Sequence, residues 1–347
     1  MNIRGIIHLL LWLLALALAI WTLQQLPLDE MLSWPGRLTA SQWTLWILLN
    51  AAVLFIAVQR WQLLTLALGA SLSLYQLFRL RQSGSTISFI TPGPQFGGEP
   101  LQLYWLSRYF GLPLPKAVAA LGLDRFLETG TNISVLLAGI LMLLGTAIMP
   151  TEAWFQVIAI LIAVLAALLF SAALILRHPE FLARLFSRLV PRWTVDSSAG
   201  RGLEGWTTMV NLLKDTLARR RPELWSALVL ALVGWVALVG ELVLVLDFLG
   251  LTPTISEVIL IMVGMRLAML LPIPGGIGTM EASVLWSFEF LGLPLSTAAG
   301  LIALMRLRDT LLLLLGFGFL AGFRNPPSAD KVSIAEADPG VPGSDSD

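Results

Sequence analysis

Two short stretches decide how this chain folds: Thr91-Pro-Gly-Pro-Gln-Phe-Gly-Gly-Glu-Pro100 and Pro272-Ile-Pro-Gly-Gly-Ile-Gly-Thr-Met-Glu281. Each interrupts a long apolar run. Proline lacks a backbone donor and glycine tolerates irregular dihedrals. A helix therefore ends where it meets Pro92, Pro94, Gly97 and Gly98, or Pro272, Pro274, Gly275, Gly276 and Gly278. Beyond each break the sequence repeats itself. Gly111-Leu-Pro-Leu114 returns as Gly292-Leu-Pro-Leu295, and Arg125-Phe-Leu-Glu128 as Arg306-Leu-Arg-Asp309, at one ungapped offset of 181 residues (111 to 292). The repeated unit is an apolar arm, a Pro/Gly break, a short second arm, a Gly-Leu-Pro turn and a long apolar helix. Freed backbone groups at membrane depth must be covered by protein or line a cavity. Each pair of arms therefore reads as a re-entrant hairpin. Two such interrupted segments at matching places are the pattern of a transporter and point to its binding site.

Composition sets the surroundings. The chain has 347 residues, of which 57% are hydrophobic and 13% charged, against about 25% charged in soluble domains. Apolar runs of membrane-spanning length recur, and no alternating strand pattern of an outer-membrane barrel is present. Net charge is zero, so nothing draws the chain to nucleic acid. It contains no cysteine, and its two histidines, His8 and His178, are far apart in sequence. Thiol chemistry, disulfides and a histidine metal centre are not expected. No cofactor, metal or catalytic residue is expected.

The fold expected is an all-α polytopic membrane protein: six spanning helices plus two oppositely oriented re-entrant helical hairpins, an inverted repeat. Spans fall near residues 6–26, 43–60, 116–145, 154–176, 224–249 and 296–323. The first is read as retained rather than as a cleaved signal. The organisation is 1–60, N-terminal spans; 61–146, first repeat; 147–250, two spans around a basic loop; 251–324, second repeat; and 325–347, a disordered tail. The loop 177–222 holds nine Lys/Arg against four acids, which puts it in the cytoplasm. Both termini then lie inside, the first hairpin opens inward and the second outward. This suits the inner membrane of a prokaryote. Residues 203–221 read either as an amphipathic helix on the membrane surface or as a solvated linker helix.

Charges inside apolar helices are the candidate working parts. Arg125 and Arg306 fall about 18 Å into helices crossing a core about 30 Å thick, where an arginine must face protein, water or an anion. Glu128 and Asp309 follow one turn later and can pair with them. Glu99 and Glu281 open the second hairpin arms, where a carboxylate favours a helix start. Arg266 lies in the first arm of the second hairpin, placed to guard its cavity, and joins these six as a candidate substrate-binding residue, while Asp124, Glu241, Asp247 and Arg308 are further intramembrane charges. Two readings stay open: ion pairs that only lock the fold, or guanidinium groups that bind an anionic head group.

Pro94–Glu99, the Gly-x-Pro turn and Arg-x-x-Glu, followed by Pro274–Glu281 and Arg-x-x-Asp, together resemble the flippase-like membrane domain of the lysylphosphatidylglycerol synthase/flippase family. The similarity runs over residues 60–323, and its relatives include stand-alone and hopanoid-associated members. The resemblance implies translocation of a lipid (anionic phospholipid, polyprenyl phosphate or hopanoid type), with Glu99, Arg125, Glu128, Glu281, Arg306 and Asp309 at the matching positions. The alternatives are a small-solute or ion-coupled transporter, or a non-catalytic subunit of a lipid-synthesis system. Two departures bear on the substrate. There is no aminoacyl-transferase domain, so synthesis of lysylphosphatidylglycerol is not expected. Pro100 directly follows Glu99, and the basic residue often found soon after that glutamate is missing. Membrane lipids are the expected partners, and a homodimer is one compatible assembly.

Overall fold

A computed structural model describes residues 33–34, 36–91, 97–146, 151–180, 199–271 and 273–323. The span expected at 6–26, the tail 325–347 and the break prolines Pro92, Pro94 and Pro272 lie outside them. The described elements are helical: α1 (Ala40–Ala67), α2 (Leu74–Ile90), α3 (Glu99–Arg108), α4 (Leu114–Leu144), α5 (Thr151–Arg177), α6 (Ala199–Arg219), α7 (Arg221–Phe248), α8 (Ile255–Ala268), α9 (Thr279–Phe290) and α10 (Leu295–Gly322). A 3-10 turn, Pro274–Gly276, joins α8 to α9.

Local sequence sets the boundaries. Thr39, Ser73 and Thr254 each form a capping box with a Gln or Glu three residues on, and so start α1, α2 and α8. Gly111 and Gly292 take positive φ, 69° and 66°, in the two matching turns before α4 and α10, a conformation that side chains disfavour. Four helices are long and apolar enough to cross a membrane: α1, α4, residues 154–177 of α5, and α7. α10 is also 28 residues long, but Arg306, Arg308 and Asp309 at its middle set it apart from those four.

Each repeat has its own apolar core. Trp61, Leu77, Leu80, Leu106 and Leu121 pack α1–α4 together, while Leu246, Ile261, Val284, Phe288 and Ile302 pack α7–α10. The halves also lock crosswise. The first arm α2 lies on α10, where a Cβ at Gly316 would come within 1.8 Å of Thr86 Oγ1. The first arm α8 lies on α4, where a Cβ at Gly139 would sit 3.1 Å from Val263. The amphipathic helix α6 spends its apolar face on the protein: Met209 and Val210 are buried with Leu68, Ala119 and Ala120.

Candidate functional site

The two repeats build the same three-residue constellation. In the first, Glu99 accepts from Gly97 N–H through Oε2 (2.9 Å) and sets its Oε1 3.2 Å from Arg125 Nε. Arg125 Nη1 donates to Glu128 Oε2 at 2.9 Å. In the second, Glu281 accepts from Gly278 N–H through Oε2 (2.8 Å) and takes Arg306 Nε through Oε1. Arg306 Nη1 donates to Asp309 Oδ2 at 3.1 Å. One carboxylate thus holds a backbone N–H of the break with one oxygen, Gly97 in the first repeat and the N-cap Gly278 in the second, and pairs with the long helix's arginine through the other. Arg306 adds long contacts, 3.4 Å each, to the carbonyls of Gly275 and Gly276. All six residues singled out by the repeat come together in these two triads.

The break glycines serve different ends. Gly275, Gly276 and Gly278 have φ of 59°, 60° and 86° and make the second break through backbone shape. Gly98 has an ordinary φ of −87°, but a Cβ there would fall 2.0 Å from the carbonyl oxygen of Gly84. At the first break glycine is needed for the close crossing of the two arms.

A larger network surrounds the first triad. Asp124, 1% exposed, accepts from Arg60 Nε at 2.9 Å and Arg81 Nη1 at 3.2 Å. Glu128 accepts from the same two arginines at 3.2 and 3.0 Å. Beside the second triad, Arg308 donates to both oxygens of Glu241 at 3.2 Å and lies 3.5 Å from Asp309. Arg60 and Arg81 were not singled out as site residues. The repeat contains the signal: position 241 lies 181 residues after 60, so the helix before each hairpin supplies one charge to its long helix. Asp247, by contrast, is exposed at the end of α7.

Three adjoining cavities of about 300, 260 and 220 Å³ open beside these groups, and Asp309 borders all of them. The largest lies between α1, α2, α4, α7 and α10. Arg60, Arg81, Glu128 and Asn132 line it together with the apolar Leu54, Leu230, Leu312 and Leu313. The third reaches the second break, touching Gly275 and Gly276, and is also lined by Phe89 of α2 and Arg125 of α4. Arg266 borders the first two. No group of three or more metal-ligating side chains occurs among the described residues.

Residues 5–316 match the family described as the lysylphosphatidylglycerol synthase TM region. A UPF0104 membrane protein of Methanothermobacter thermautotrophicus is 28% identical over 161 residues, 46% of this chain and 42% of that protein. The chain therefore matches less than half the length of that relative. No solved structure matches it. With nearly its whole length matched and four helices apt to cross a bilayer, this multi-pass membrane protein belongs to the lysylphosphatidylglycerol synthase transmembrane family.

Proposed function

We propose that this protein carries a lipid between the leaflets of a prokaryotic inner membrane, acting as a carrier rather than a catalyst. In this reading the chain is an inverted repeat of six spans and two re-entrant hairpins, the first opening to the cytoplasm and the second to the outside, with both termini cytoplasmic. One observation carries the reading. The three adjoining cavities lie where the repeats interlock and put charged and amide groups beside leucines in one wall. A lipid needs both kinds of surface, because its head group cannot cross about 30 Å of hydrocarbon unaided. The family supports a lipid-related role.

The triads suit the mechanical part. Each ties a hairpin arm to a long helix through a carboxylate–guanidinium pair, hydrogen-bonded in the second triad and an ion pair at 3.2 Å without a hydrogen bond in the first. Glu128 and Asp309 hold the long-helix side of the triads and face the cavities. A head group arriving there would compete for Arg125, which borders the third cavity, or reach Arg306 by displacing Asp309, and loosen one hairpin while the other stays closed.

Leaflet exchange of fluorescent lipids with varied head groups, in liposomes holding the purified protein, tests this. Exchange above protein-free liposomes is expected, with a strong reduction in Arg125→Ala and Arg306→Ala that elute as folded protein. Uptake of small solutes without lipid exchange would overturn the proposal in favour of a solute transporter.

A further inference from the structure

Arg60, Arg81, Arg125, Arg306 and Arg308 each have a carboxylate within 3.2 Å. Arg266, on the wall of two cavities, has none within 4.0 Å among the described residues. Its guanidinium carbon stands 4.8 Å from the centre of the Trp235 ring. That ring is 6% exposed and is held in place by Nε1, which donates to Asn132 Oδ1 at 3.1 Å. An aromatic ring engages the face of a guanidinium and leaves the N–H groups at its edge free. Those edges match the paired oxygens of a phosphate. Asn132 borders the same cavity, and its amide nitrogen has no protein partner among the described residues. The acids on that cavity wall are already engaged: Glu128 by Arg60, Arg81 and Arg125, and Asp309 by Arg306 and Arg308.

Resting on the lipid-carrier reading, we propose that Arg266, seated on Trp235 beside Asn132, binds the phosphodiester oxyanion of the lipid. The substrates are then phosphate-bearing lipids rather than neutral glycolipids. Arg266 belongs to the binding site and not to the scaffold.

Native mass spectrometry of the full-length protein in detergent, titrated with phosphatidylglycerol, a neutral diacyl glycolipid or inorganic phosphate, tests the assignment. Arg266→Gln should weaken phosphatidylglycerol binding about tenfold, as loss of one charge-assisted contact implies. It should leave the glycolipid unchanged, and Arg266→Lys should recover part of the loss. Removing an intramembrane arginine without a carboxylate partner should keep or raise the melting temperature, whereas a scaffold residue would lower it. Equal binding of both lipids, or phosphatidylglycerol binding unchanged in Arg266→Gln, overturns the proposal. Arg266-dependent binding of inorganic phosphate with no lipid preference overturns its lipid part. Arg266-dependent phosphatidylglycerol binding without leaflet exchange supports the anion site and overturns the carrier reading.

Discussion

Asp124 is the most deeply set charge in the first network and holds two arginines at once, Arg60 and Arg81. Breaking a buried ion pair from one side leaves an uncompensated charge, which costs about 3–5 kcal/mol. Asp124→Asn should therefore lower the melting temperature sharply in detergent, while Asp247→Asn, at an exposed position, should leave it unchanged. The network also decides a charge swap. Exchanging Arg125 and Glu128 would set a third arginine against Arg60 and Arg81, which share Glu128. The double variant should be less stable than wild type by more than about 3 kcal/mol, measured by thermal unfolding. An isolated pair would tolerate the exchange. The i to i+3 partners were legible in sequence because one helix turn fixes their spacing. The contacts of Arg60 and Arg81 were not, because they form only when α1 and α2 pack on α4.

At the level of elements, the two helix breaks were legible because Pro and Gly break helices wherever they fall. The space between their arms was not. Gly84 and Gly98 let α2 and α3 cross backbone to backbone, and a Cβ at Gly98 would meet a carbonyl that cannot swing aside. Gly98→Ala should cost about 1–3 kcal/mol, as overpacking does. Gly122→Ala, in α4 with nothing within 4 Å, should be neutral or slightly stabilising, as in an exposed helix interior. Thermal melts of the two variants side by side decide this. The amphipathic pattern of α6 was equally clear in sequence, but periodicity does not say what covers an apolar face. Here α4 and the end of α1 share it, through Ala119, Ala120 and Leu68.

At the scale of the whole molecule, the repeat seen in sequence recurs as two triads, their arginines and second acids 181 residues apart and their glutamates 182, as two Gly turns, and as two first arms crossed onto opposite long helices. Orientation in the membrane is a separate matter and has its own test. The chain has no cysteine, so Leu114→Cys and Leu295→Cys, at exposed matching positions, can be probed singly. An impermeant maleimide should label Leu295→Cys in intact cells and Leu114→Cys only after lysis. Labelling of both from one side would rule out opposed hairpins. The most direct measurement is leaflet exchange of a fluorescent phosphatidylglycerol in liposomes holding either the wild-type chain or Ala57→Trp, which puts a large ring into the biggest cavity. Transport through that cavity requires exchange by the wild type and its loss in the folded variant. No exchange by folded wild-type protein, or equal exchange by both, would contradict it.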